Sequence, residues 1–232
     1  MRSVAPALVL VLVLAGAVFG GVSCSSDVPD DSGTYATGLF PLVAHSGFNE
    51  HASFRALFST SAVNPRWSVA DPKVASVAPS GPPSNATAAM KSLSYALVTM
   101  TSAGETTVTA ESNGTTLTAR LVVVPYTDAD LAVGKARYET ASTDPARPPC
   151  ASCHAVAGGV DHSPLKMAGF DDPTILGVIQ DATYPASTTG QRTTSDYSPR
   201  GPLAFTGHKW NLTDPEKTGI LAHLRSLPLG GL

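Results

Sequence analysis

The stretch Thr106-Thr107-Val108-Thr109-Ala110-Glu111-Ser112-Asn113-Gly114-Thr115-Thr116-Leu117-Thr118-Ala119-Arg120-Leu121-Val122 reads as two β-strands around a tight turn. β-Branched residues dominate it, and apolar positions recur at every second residue, the period of a strand buried on one face. Asn113-Gly114 supplies the turn, because both residues tolerate the left-handed backbone that a two-residue hairpin loop needs. Outward from this hairpin the same short alternating pattern recurs at 39–44, 52–58, 66–69, 74–77 and 95–101. Several short strands separated by regular turns indicate an all-β sandwich. Residues 79–89, rich in Pro, Ser, Gly and Ala, read as an exposed loop between two of them.

Past Pro125 the apolar period lengthens. Leu131, Gly134 and Tyr138 fall on one helical face, with Thr127 or Asp128 placed to cap its start. A second helix starts near Asp171-Asp172-Pro173 and carries Ile175, Leu176, Val178 and Ile179. The last is bounded most sharply: Thr213 and Glu216 form a capping-box pair, Ile220, Leu221, Leu224 and Leu227 make one stripe, and Pro228 closes it. The chain therefore divides into a β domain at 39–126 and an α domain at 127–232.

A net charge of −3 over 232 residues, with no block of like charges, excludes a polyelectrolyte surface and gives no reason to expect nucleic acid as a partner. The N-terminus points to export: Arg2 precedes an uncharged apolar stretch over 4–22. Gly21-Val22-Ser23-Cys24 resembles the cleavage site of a bacterial lipoprotein signal, although Gly21 stands where such sites usually have Leu. The resemblance implies a signal at 1–23, a lipid on Cys24 and a flexible Ser/Asp/Gly tether over 24–38. The protein would then sit in the periplasm or at the cell surface of a bacterium, anchored to the outer membrane. An ordinary cleaved signal or an uncleaved anchor is the alternative, and either also exports the chain.

Trp67-Ser68-Val69-Ala70-Asp71-Pro72-Lys73-Val74-Ala75-Ser76-Val77, followed by Ala103-Gly104-Glu105-Thr106-Thr107-Val108-Thr109-Ala110, resembles the group 2 bacterial immunoglobulin-like (Big) domains. The resemblance covers 39–126 and implies an immunoglobulin-like sandwich of the kind that serves as spacer or adhesive module. Trp67, at the opening of a strand, reads as core rather than as a carbohydrate platform. His45 and His51 lack a third ligand and read as solvent-facing or locally hydrogen-bonded.

Cys150-Ala151-Ser152-Cys153-His154 has the spacing of c-type haem attachment. Two thiols three positions apart can each add to a haem vinyl group, and the adjacent imidazole can then reach the iron. A redox disulfide would want a preceding strand, and structural zinc a second ligand pair; neither is present in the sequence. Gly134 and Tyr138 before the motif, and the run 212–228 after it, resemble a single-haem class I cytochrome c. That likeness implies an all-α cytochrome c fold, one covalent haem c on Cys150 and Cys153, and His154 as proximal iron ligand. The family's distal Met is missing from the loop before the last helix, where His208 stands; His208 is the expected distal ligand, with Met167 as the rival and His162 behind it. His223 takes a place that is often Tyr in the family and is expected at the helix crossing. The expectation is an exported, non-catalytic one-electron carrier with unidentified redox partner proteins. A haem enzyme with an exchangeable sixth ligand, or a surface binding or adhesion protein acting through the β domain, are the alternatives.

Overall fold

The computed structural model describes residues 38–84, 86, 88–140, 149–154, 162–181 and 210–229. Eight strands come first among these: β1 Leu39–Phe40, β2 Val43–Phe48, β3 Arg55–Thr60, β4 Arg66–Val69, β5 Ala75–Ser80, β6 Ser94–Met100, β7 Gly104–Ser112 and β8 Thr115–Pro125. They form two four-stranded sheets, β1-β3-β6-β5 and β2-β8-β7-β4, antiparallel except where β2 runs parallel to β8. Side chains from the two inner faces meet in one core, with Leu39, Phe54, Phe58, Val98, Val108 and Leu121 almost fully buried. This is the expected β-rich part, built as two packed sheets.

The β7–β8 hairpin is built as its sequence requires. Asn113 and Gly114 have φ of 50° and 74°, so the turn is of the left-handed type that matches strand twist. Inward-facing Thr106, Val108 and Ala110 on β7 are buried, as are Ala119, Leu121 and Val123 on β8. Trp67 on β4 is half-buried and packs against the core, opposite Ala110.

Two expectations are corrected. Residues 39–44 are two strands in different sheets, because Pro41 has no amide hydrogen to continue a ladder and the chain crosses from one sheet to the other there. Residues 79–89 are not one loop: Pro79 and Ser80 complete β5, and the short helix α1 (Ala88–Lys91) begins before the segment ends. A proline is tolerated in β5 because that strand lies at a sheet edge and pairs only with β6.

Five helices follow among the described residues: α2 Asp128–Glu139, α3 Ala151–His154, α4 Pro164–Met167, α5 Asp172–Asp181 and α6 Asp214–Ser226. The α6 start is capped as read, by Thr213 with Glu216; at α2 the cap is Thr127, not Asp128, and Asp130 completes a box that was not expected. α2 and α6 cross at Gly134 and Gly219, so closely that a Cβ on Gly134 would collide with the Gly219 carbonyl. Beside the crossing, the Tyr138 and His223 rings lie 4.8 Å apart. None of the described helices is long and apolar enough to span a membrane.

Helices and sandwich share one core. His45 on the edge strand β2 donates its amide to Ala168 O at 2.7 Å and accepts at its carbonyl from Arg225 Nη1 at 2.6 Å. An edge strand normally leaves such groups exposed; here the helical part covers them.

Candidate functional site

Cys150 and His154 bracket the single turn of α3, held by the His154 amide donating to the Cys150 carbonyl at 3.0 Å. Cys150 is half-buried and packed against the core. Cys153 lies on the same turn. The His154 imidazole stacks on His162 with centroids 3.6 Å apart and planes 22° from parallel. His162 in turn meets Tyr138, edge to face at 6.0 Å, with Tyr138 Oη 3.5 Å from its Nδ1. His223 also lies against Tyr138, so four rings are in successive contact from α3 through α2 to α6. Burial pushes the His223 imidazole below its ordinary pKa, as suits a residue packed inside a helix crossing.

Of the other expected site residues, Met167 ends α4 and is partly buried against the core. His208 and Cys24 lie outside the described residues, as do the proposed signal and nearly all of the tether. His51 is exposed, its Nδ1 2.9 Å from Asp128 Oδ2. That contact, with a second from Asn49, holds the Asp128 carboxyl below its usual range. His45 is pushed down by burial and by the nearby Arg225 cation.

Three features were not foreseen. Arg225, 2% exposed, places its guanidinium against the Asp172 carboxylate, the Phe170 carbonyl and the His45 carbonyl, and so ties α6, the start of α5 and β2 together. In the sequence it is one more cation in a helix's last turn, the usual place for a solvated charge. Gly219 is the second half of the helix crossing; a glycine inside a strongly patterned helix was its only signal. Arg137 lies over the Trp210 ring with its guanidinium carbon 4.1 Å from the centroid, and nothing in the spacing of the two residues marks the pair.

No family model matches the chain, and no curated protein does. Among solved structures, the chain is similar to domains 5–6 of the S-layer protein SbsC, at 15% identity and a TM-score of 0.30, over 39% of this chain and 43% of that one. A longer fragment, domains 1–6 of the same surface-layer protein, matches at 18% identity and a TM-score of 0.27, over 39% of this chain and 12% of that one. The chain thus spans less than half the length of either. At these scores the likeness adds nothing to the layered sheets already seen in the strand pairing.

The expected one-electron carrier is corrected at this point. The structures to which the chain is similar are of a surface-layer protein. Among the described residues, no three His, Cys, Asp or Glu side chains come together as a metal cage. With the carrier go the functional descriptions that depended on it, cytochrome and electron transfer. The alternative expectation, a surface binding or adhesion protein acting through the β domain, is the one these findings favour.

Proposed function

We propose that the chain is an exported, non-catalytic surface protein that binds a hydroxyl-rich polymer of the cell envelope through its sandwich. One observation carries this reading: the outer face of the β2-β8-β7-β4 sheet presents polar side chains in cross-strand register. Ser68, Thr109 and Thr118 form one row, Thr107 and Arg120 stand in the next, and Glu105 follows. Arg120 and Glu105 are each 57% exposed and joined by two hydrogen bonds, at 3.1 and 2.6 Å. Hydroxyls that both donate and accept, beside a fixed cation and carboxylate, suit a polyhydroxylated ligand better than an apolar one. The apolar, Arg-led N-terminus supports export, and a surface-layer protein among the similar structures is in keeping with a surface location. The test is co-sedimentation of the mature chain with purified envelope fragments. Saturable binding that is weakened by Thr107→Lys with Thr109→Lys, and untouched by Cys150→Ser with Cys153→Ser, is expected. No sedimentation, or binding that follows the cysteines instead, overturns the reading.

A cofactor is a separate matter from that function. The α3 turn, the Gly134–Gly219 crossing and the Tyr138–His223 contact support a helical part of cytochrome c type over 127–232, with haem on Cys150 and Cys153. His154, on the same turn as the two cysteines, would be the proximal ligand. His208, or Met167 in its place, would complete the iron, and Cys24 would carry lipid. When bound, such a group supplies a ligated iron; this chain's residues hold it and exclude water, and no redox role is assigned. Intact mass of the exported protein tests both modifications: a haem-sized increment abolished by Cys150→Ser with Cys153→Ser, and a diacylglyceryl increment abolished by Cys24→Ser. An unmodified mass overturns the corresponding assignment.

A further inference from the structure

We propose that the polymer held by the β2-β8-β7-β4 face is an uncharged polysaccharide, and that the Arg120–Glu105 pair selects it over acidic polymers; the inference rests on the reading of that face as the binding surface. Hydroxyl side chains line up across three strands, Ser68 facing Thr109 and Thr109 facing Thr118 in the strand register. All three point outward, since Val108, Ala110 and Ala119 between them are buried. Neighbouring strands lie about 4.8 Å apart, so this row spans about 10 Å, and Thr107 stands about 7 Å further along β7. Each hydroxyl both donates and accepts, which suits the alcohol groups of a sugar. Among the described residues, the outward positions of β4, β7 and β8 carry no aromatic ring. Hydrogen bonds rather than stacking therefore hold the ligand, and a polymer gains by repeating weak contacts.

Charge enters this face only in matched pairs. On one side of the hydroxyl row, Arg120 donates to Glu105 from Nε at 3.1 Å and from Nη2 at 2.6 Å. On the other side, exposed Arg66 on β4 stands opposite exposed Glu111 on β7. Two cations and two carboxylates leave the face without net charge. His45, at the β2 edge of the same face, adds none at neutral pH, because burial and then the nearby Arg225 cation push its imidazole down. The hydrogen bond from Arg120 holds the Glu105 carboxyl below its usual range, and Glu105 holds the guanidinium above its own, so the two stay ionised together. An anionic polymer drawn to Arg120 meets Glu105 beside it, and attraction and repulsion offset. A neutral hydroxyl meets no such conflict. It can donate to Glu105 or accept from the remaining N–H groups of Arg120 while the pair stays intact.

Co-sedimentation of the full mature chain with envelope fragments is repeated as salt rises from about 0.01 to about 1 M, which shortens the screening length from about 30 to about 3 Å. Binding is expected to change by less than about twofold, since screening acts on charges that this contact does not use. Polymer released from the fragments is then split by anion exchange, and the uncharged fraction alone is expected to compete. Glu105→Gln unmasks Arg120, so this variant should be newly retained on polygalacturonate beads at low salt and released at high salt. Arg120→Gln unmasks a carboxylate instead and should not be retained. Competition by the acidic fraction, a loss of about tenfold or more with salt, or no gain in retention for Glu105→Gln overturns the inference and leaves the sandwich as the binding part. No sedimentation at any salt overturns the reading of the face itself, and this inference with it. The salt series needs no variant, so it decides the matter even where a substituted chain fails to fold.

Discussion

Gly134 and Gly219 set the distance between α2 and α6, since each occupies the space a Cβ on the other would need. Gly134→Ala should therefore lower stability by about 3 kcal/mol, the upper part of the range for overpacking, even though alanine favours helix; a denaturant midpoint at or above the parent's would contradict the crossing. Gly134 was legible from its place one helical turn before Tyr138, whereas its partner Gly219 carried no spacing that named it. Arg225 shows a different limit. Its identity and its position in the last turn of a helix give no hint of burial, because the acceptors that hold it, the His45 and Phe170 carbonyls and Asp172, come together only when the sandwich and helices are folded. Asp172→Asn should cost about 2 kcal/mol, less than a fully buried pair because the carboxylate is 31% exposed. Urea unfolding would measure it.

The elements that local chemistry determines are those the sequence displayed. β4 runs over Arg66–Val69 as its pattern indicated, the Asn113-Gly114 turn has the backbone those residues favour, and the Thr213–Glu216 capping box forms. The elements misjudged depend on a partner sheet or on an edge. The 39–44 run divides because Leu39 and Phe40 pair with β3 while Val43 onward pairs with β8, a choice made by the second sheet and not by the run itself. At this scale Thr213→Ala removes the hydroxyl of the α6 box and should destabilise by about 1 kcal/mol. The denaturant midpoint of that variant measures it, and an unchanged midpoint would show that the box adds nothing.

At the scale of the molecule, sandwich and helices form one piece. The amide and carbonyl of His45 both bond to the helical part, and Asn49 reaches the Tyr126 carbonyl and Asp128 at 3.0 Å each. Thermal unfolding should accordingly be a single transition, and Arg225→Leu should split it into two or lower it as a whole; an unchanged single transition would show that the guanidinium does not join the parts. Acid should weaken the same assembly. His45 and His223 have folded pKa values below the ordinary 6.5, so the unfolded chain binds their protons more readily. The stability they contribute is complete above 6.5 and falls as pH drops through the lowered values. The melting temperature should thus decline between pH 7 and pH 5, and less so in His223→Phe. How the parts face one another was not legible in the strand and helix patterns, which describe each part alone. The motif at Cys150 to His154 was fully legible, yet it pointed to a carrier that the structural findings do not support.

The central claim is that the sandwich does the binding, and hydrogen exchange with and without saturating envelope polymer tests it most directly. The account predicts slowed exchange along β7 and β8, centred on Thr107 to Thr109 and Thr118 to Arg120, with the α3 turn unaffected. Protection confined to the turn at Cys150 to His154, with β7 and β8 unchanged, would contradict it.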